Sequence, residues 1–411
     1  MERSISSGPA LLGCVGILVL SSCAGDYVAR TSGARRAYQS YDYNRALSEI
    51  EYEVKGPEVD RLLALLDEGM ILHAAGRYQE SIGVLAEADR LSQQLDVVSI
   101  SEEAKTLISN ERERAYRGED FEKLMISVLQ ALNYAELGRD EDALVEVRRV
   151  NERLRKMIVD EKKPYEQLAI ARYLGGVLWE DQGELDSAFI DYQAAQKLQP
   201  NLGPLAEPLI RLARETGRDE AYRELKQEYP DVLDMPLGKD QGQLVVVVEA
   251  GLSPIKISAQ QRYPGLIQLL DVPKYQDRWP TRHAAVRVDH EEQEATTVTS
   301  LGAVAKLHLD DRIGRMVAKA IASTALKAGV AAGVGEATKS RELGLLTFLL
   351  LNVNNQADRR SWLSLPAEFQ LARFRLPAGR YQVSVELDGA PVQQELDVGR
   401  RRVAVAVFRR F

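Results

Sequence analysis

At 411 residues the chain is too long for one ordinary core, so two or more domains are expected. A formal net charge of -8 and the lack of any long basic run argue against nucleic acid as a partner; the Arg400, Arg401, Arg402 and Arg409, Arg410 clusters are short and read as solvated. Hydrophobic content of 45% is that of an ordinary soluble protein.

The chain opens with Arg3, an apolar run over residues 10–20, and then Leu20-Ser21-Ser22-Cys23. This resembles a bacterial lipoprotein signal with its lipobox. The resemblance implies that residues 1–22 are a signal peptide and that Cys23 is the first mature residue, acylated on sulfur. Ala24, where an inner-membrane sorting signal has Asp, implies the periplasmic face of the outer membrane. Cys14 leaves with the signal and Cys23 carries lipid, which removes any disulfide, metal–thiolate site or cysteine nucleophile from the mature chain. No other apolar run reaches the ~20 residues of a spanning helix. Residues 23–36 are small and polar and read as a tether.

Residues 37–229 read as a helical array. The clearest unit is 171–200, with small residues at Gly175, Gly176, Ala188 and Ala195 and bulky ones at Tyr173, Leu174, Trp179, Phe189 and Tyr192. Gly183 releases the first helix into a turn and Pro200 stops the second. This looks like one unit of a tetratricopeptide repeat, a pair of antiparallel helices about 34 residues long. Residues 62–95 repeat the pattern through Gly69, Leu72, Gly76, Tyr78, Ile82, Leu85 and Ala88, with Ser81 in place of the usual alanine. Residues 121–154 do so through Ala131, Tyr134, Gly138, Ala143, Val147 and Val150. Residues 37–54 are a degenerate half-unit, and 205–229 a short polar cap. A charged connector at 96–120 is expected to hold a helix over 101–116, and 155–165 is a polar link.

Residues 230–242 are rich in Pro, Gly and Asp and mark a linker, after which the periodicity changes. Residues 243–411 read as a β-rich domain. The run 243–250 (QLVVVVEA) is a buried strand, and alternation marks further strands at 369–376, 380–387, 392–398 and 402–408. Residues 308–353 read as a helical hairpin inserted between strands: an amphipathic first helix, a Gly/Ala run at 328–335, a turn, and an apolar second helix over 343–353. The fold class is therefore α+β, an N-terminal tetratricopeptide-like solenoid followed by a small β-sandwich-like domain.

Motifs of chemistry are scarce. His73, His283, His290 and His308 are scattered, and the Asp289-His290-Glu291-Glu292 cluster lacks a spaced second ligand, so neither metal nor cofactor is expected. The run Gly329–Gly335 precedes Lys339-Ser340, but Thr338 stands where a P-loop needs glycine and no strand leads in; close helix contact is the reading, with membrane insertion the alternative. Residues 357–366 (ADRRSWLSLP) form a polar-aromatic stretch in which Trp362 plugs the sandwich edge and Asp358, Arg359 and Arg360 fix a turn or an ion pair.

Together with 251–256 (GLSPIK), that stretch resembles a family of bacterial repeat-containing lipoproteins with no assigned activity. The resemblance covers most of the mature chain and implies no catalytic residues. The repeat resemblance implies a concave groove lined by Met70, His73, Leu132, Tyr173, Val177 and Glu180, which would grip a protein or peptide partner. The function expected is a non-enzymatic scaffold or adaptor of an envelope assembly, lipid-anchored through Cys23. The alternative is a ligand- or glycan-binding β domain using Arg359, Arg360 and Trp362. A hydrolase in an unfamiliar fold is a third, disfavoured because acid–base chemistry needs paired groups and none is legible.

Overall fold

The computed structural model describes residues 27–56, 58–102, 115–160, 168–200, 202–261, 270–280, 282–338 and 357–411. Helices come first: α1 (Tyr27–Arg30), α2 (Ser32–Gln39), α3 (Tyr43–Val54), α4 (Arg61–Ala74), α5 (Tyr78–Glu102), α6 (Asp120–Glu136), α7 (Asp140–Arg155), α8 (Ala169–Asp181), α9 (Leu185–Leu198), α10 (Gly203–Glu215) and α11 (Asp219–Glu228). From α2 onward each packs on the next, with α4–α5, α6–α7, α8–α9 and α10–α11 as antiparallel pairs.

The pairs share one turn. After α4 the Gly76 backbone sits at φ +72, where a Cβ would be strained; its N–H bonds His73 O at 3.0 Å and the Arg77 N–H bonds Leu72 O at 2.9 Å. The same pair of bonds recurs at Gly138, Gly183 and Gly217. Small residues inside the pairs set the helix spacing. A methyl group at Gly176 would fall 2.4 Å from Tyr192 Cδ1, and one at Gly69 2.5 Å from Leu85 Cδ2. Ser81, where alanine was expected, donates its hydroxyl to Gly69 O at 2.7 Å and so ties α5 to α4.

The β-rich part holds two four-stranded sheets and a hairpin. The inner sheet runs β10 (Val403–Arg410), β1 (Gln241–Ala250), β7 (Glu368–Pro377), β6 (Thr296–Ser300). Its β1–β10 pair is parallel, Val245 opposite Val405; its β1–β7 pair is antiparallel, Val246 opposite Ala372. The outer sheet runs β5 (Glu291–Glu294), β4 (Ala285–Val288), β8 (Gly379–Glu386), β9 (Val392–Val398). Strands β2 (Ile255–Gln261) and β3 (Leu270–Gln276) pair separately. Leu244, Val246, Val248, Phe374 and Phe408 pack between the sheets. Val245, Val247, Phe369, Leu371 and Val407 point the other way, into the helices, where they join one continuous core running from Tyr27 to the last strand. The unbroken apolar run in β1 follows from burial on both faces.

Two expectations change. Residues 27–36 are not tether but belong to α1 and α2: Tyr27 is 1% exposed and its hydroxyl donates to Asp67 Oδ2 at 2.8 Å, a fixing contact from a residue 40 positions away. The helix placed at 308 begins at Leu301 and runs unbroken to Thr338 as α12 (Leu301–Thr338). The second half of the expected hairpin, at 343–353, lies outside the described residues, as do the turn before it and most of the helix expected over 101–116. No helix among the described residues is long and apolar enough to cross a membrane.

Candidate functional site

One face of the array is covered by the chain's own inner sheet. Met70, His73, Leu132, Tyr173, Val177 and Glu180 do lie together on this inner face, on α4, α6 and α8, but none is more than 6% exposed. Where the sequence places a partner, the structure places β1, β7 and β10.

Polar residues on those strands explain the fit. Glu180 Oε2 accepts from Arg373 Nη2 at 2.6 Å and from the Tyr192 hydroxyl at 2.8 Å, and its Oε1 accepts from Arg211 and from Gln243 Nε2 at 2.7 Å. Burial opposes the charged carboxylate, yet Arg373 and Arg211 outweigh it and hold Glu180 at about 2. Arg373 also donates to Gln243 Oε1 at 2.7 Å and to Tyr192 at 2.8 Å, so every member of this buried network is bonded.

His73 occupies the same place before its turn glycine as Glu180 does before Gly183, three residues ahead. Ser81 donates to Gly69 O and therefore accepts from Asn133 Nδ2 at 3.0 Å, which turns Asn133 Oδ1 onto His73 Nδ1 at 2.6 Å. His73 Nε2 lies 3.1 Å from Glu249 Oε1 of β1. Oxygen thus faces both ring nitrogens, an arrangement that favours the charged ring. Burial disfavours that charge, but Glu249 and Asn133 together raise the His73 pKa above its ordinary value.

The third lock involves residues 357–366. Arg360 is clamped by Asp358 at 2.8 Å and Asp60 at 3.1 Å, and it donates to Val59 O at 3.1 Å. Trp362 is 1% exposed; its backbone N–H bonds Glu122 Oε1 at 2.6 Å and its indole N–H bonds Ser364 Oγ at 3.0 Å. Lys256 reaches Glu119 and Arg360 O, and Arg312 also reaches Glu119, whose carboxyl these two cations hold well below its usual range against the cost of burial. Arg359 alone of the proposed ligand trio is exposed. The trio does not converge on a cavity: Arg360 and Trp362 are spent on internal bonds.

Sheet edges are closed too. Strand β10 is an edge strand, and its Val403 and Val407 N–H groups bond Asp181 Oδ1 at 2.7 Å and Glu136 Oε1 at 2.5 Å. Thr299 of β6 accepts from Ile170 N at 3.0 Å, capping α8, whose own N-cap Leu168 has no polar side chain.

Openings remain at the seam of helices and sheet, one beside Leu168, Thr299 and His308 and one beside Glu207, Gln243 and Arg375, and on the outside of the array. A groove of about 410 Å³ between α7, α8 and α9 has Leu144 and Val147 as its floor and Trp179 as a wall. Arg148 stacks over Trp179 at 4.8 Å from the ring centroid, and Arg155 and Arg172 stand on the rim. Arg172 pairs with Asp191 at 2.7 Å and Arg155 with Glu152 at 2.7 Å. Gly175 makes room for this, since a methyl there would fall 2.6 Å from Asp191 Oδ2. Sequence reasoning treated Trp179 as repeat filler; Arg148 and Arg155, seven residues apart on α7, were the available signal. Among the described residues no group of three or more His, Cys, Asp or Glu is placed to hold a metal ion.

No family model matches the chain, and no curated protein does. Solved structures of MamA are similar to part of it. A crystal structure of MamA protein has 15% identity and a TM-score of 0.34, covering 51% of this chain and 97% of that one. A MamA AMB-1 structure has 16% identity and a TM-score of 0.31, covering 50% of this chain and 92% of that one.

Proposed function

We propose that the protein is a non-catalytic scaffold of an envelope assembly, anchored by lipid at Cys23 on the periplasmic face of the outer membrane, and that it recruits a partner through the outside of its helical array. The observation that carries this reading is the division of the array into two faces. The inner one is covered by the chain's own sheet, and the outer one keeps an aromatic groove rimmed by Arg148, Arg155 and Arg172. The sheet acts as an internal stiffener, giving the outer face a fixed curvature. Such a groove suits a partner segment with an apolar side chain to lie against Trp179 and a carboxylate to meet Arg148.

Crosslinking in living cells tests it. A photo-reactive residue at Arg148 should capture a defined protein, one at the 77% exposed Tyr52 should not, and Trp179→Ala should abolish the adduct. An absent adduct at Arg148, or one indifferent to Trp179→Ala, overturns the assignment of the groove. Lipid on Cys23 is read separately, by mass spectrometry of the mature N-terminus.

A further inference from the structure

We infer that the face formed by α1 and α2 lies directly on the phospholipid surface, pressed there by a tether too short to let the body turn away. The inference rests on the lipid anchor at Cys23 proposed above. Tyr27 is the fourth residue after Cys23, and four residues reach at most about 14 Å when fully extended. Residues 24–26 enter only through their number. The expected tether of residues 23–36 would have reached roughly three times as far and let the orientation average out.

The near end of the tether is firmly fixed. Tyr27 is buried and bonded to Asp67, and Arg30 is held by Glu53 at 2.9 Å and Asp60 at 2.7 Å. Tyr38 at the far end of α2 is buried as well, its hydroxyl donating to Ser364 O at 3.1 Å. Pulling α1 or α2 free to lengthen the tether would strip these contacts from the core.

Charge agrees with the geometry. Segments Tyr27–Arg30 and Ser32–Gln39 contain no carboxylate, and since Arg30 is spent on Glu53 and Asp60 their net positive charge rests on Arg35 and Arg36. Arg36 is exposed, as is Ser32 at the start of α2. Anionic headgroups attract such a surface within about one Debye length, ~8–10 Å at ordinary salt, a distance comparable to the full reach of the tether. The array then stands on the membrane by its first helices, and the end carrying α11 and the 75% exposed Leu233 points away.

The test uses the full lipidated protein in vesicles of phosphatidylethanolamine and phosphatidylglycerol carrying a headgroup nitroxide. Acylated Cys23 is inert, so a single fluorophore is attached through Ser32→Cys or Leu233→Cys. The expected result is loss of fluorescence at residue 32 and none at 233. Inserting a Gly/Ser segment of about 20 residues after Gly25 should restore the signal at residue 32. Equal quenching at both sites, or none at residue 32, overturns the inference while leaving the anchor intact. A mature chain without acyl groups on Cys23 instead removes the reading on which it rests.

Discussion

Glu136 and Asp181 stand at equivalent positions of successive helix pairs, each two residues before its turn glycine, and each accepts a backbone N–H from the same edge strand, β10. The spacing of the repeats thus matches that of two outward N–H groups, at Val407 and Val403. An array of helix pairs has become a template for a strand.

Removing one of these acceptors should cost what an orphaned N–H costs. Asp181→Ala leaves Val403 N–H without its partner and also frees Arg402, which donates to Asp181 Oδ1 at 2.8 Å. We expect a loss of about 1–3 kcal/mol in urea unfolding. Glu136→Gln keeps a carbonyl oxygen for Val407 and should leave stability at neutral pH nearly unchanged.

Stability should decline as pH rises past neutral. The His73 pKa is raised from 6.5, so its contribution is complete below that value and is lost as pH climbs through the folded one. Burial lifts Glu136 from 4.5 to about 7, so between those values the folded state keeps a proton that the unfolded chain releases, with the same sign. On the acid side Glu180, held at about 2, contributes fully above 4.5 and is lost as pH falls towards its folded value. Urea midpoints across pH 5 to 9 should therefore peak on the acid side of neutral. His73→Gln combined with Glu249→Gln and Glu136→Gln should flatten the alkaline limb.

Arg373 and Arg375 sit two residues apart on β7, both paired with carboxylates of the array, but in different surroundings. Arg373 is buried against Glu180, whereas Arg375 meets the half-exposed Glu207. Arg373→Met should cost about 3–5 kcal/mol because it removes one of the two cations that balance the buried Glu180 carboxylate, and Arg375→Met under about 1 kcal/mol. Equal effects in denaturant titrations would refute the difference.

Helical glycines should split by environment. Gly176→Ala drives a methyl into the Tyr192 ring and should destabilise by about 1–3 kcal/mol. Gly83 lies exposed within α5 with nothing within 4 Å of a new methyl, so Gly83→Ala should stabilise by up to ~1 kcal/mol. Thermal unfolding of the two variants against wild type decides this.

The helix pairs were legible because their grammar is local. Gly69 with Leu85, Gly176 with Tyr192 and the four turn glycines all lie within one unit of each other. Strand β1 was legible as buried for the same reason. Its surroundings were not, because nothing near Val245 or Glu249 in sequence says which surface covers the second face. The parallel β1–β10 pair joins residues some 160 positions apart. Glu249 and Arg373 read as ordinary strand polarity until His73 and Glu180 are seen opposite them. The short helices α1 and α2 were hidden similarly, since Thr31, Ser32 and Gly33 look like linker and only Asp67 fixes Tyr27.

The last strand meets the first helices: Arg409 donates to the Tyr38 hydroxyl at 2.9 Å, and the Phe411 and Tyr38 rings lie 4.8 Å apart. These partners lie 371 positions apart in sequence. Until β10 is in place, β1 lacks its parallel neighbour and the helices that face it keep apolar side chains bare. Closure of so long a loop comes late, and the two layers should lock together in one slow step.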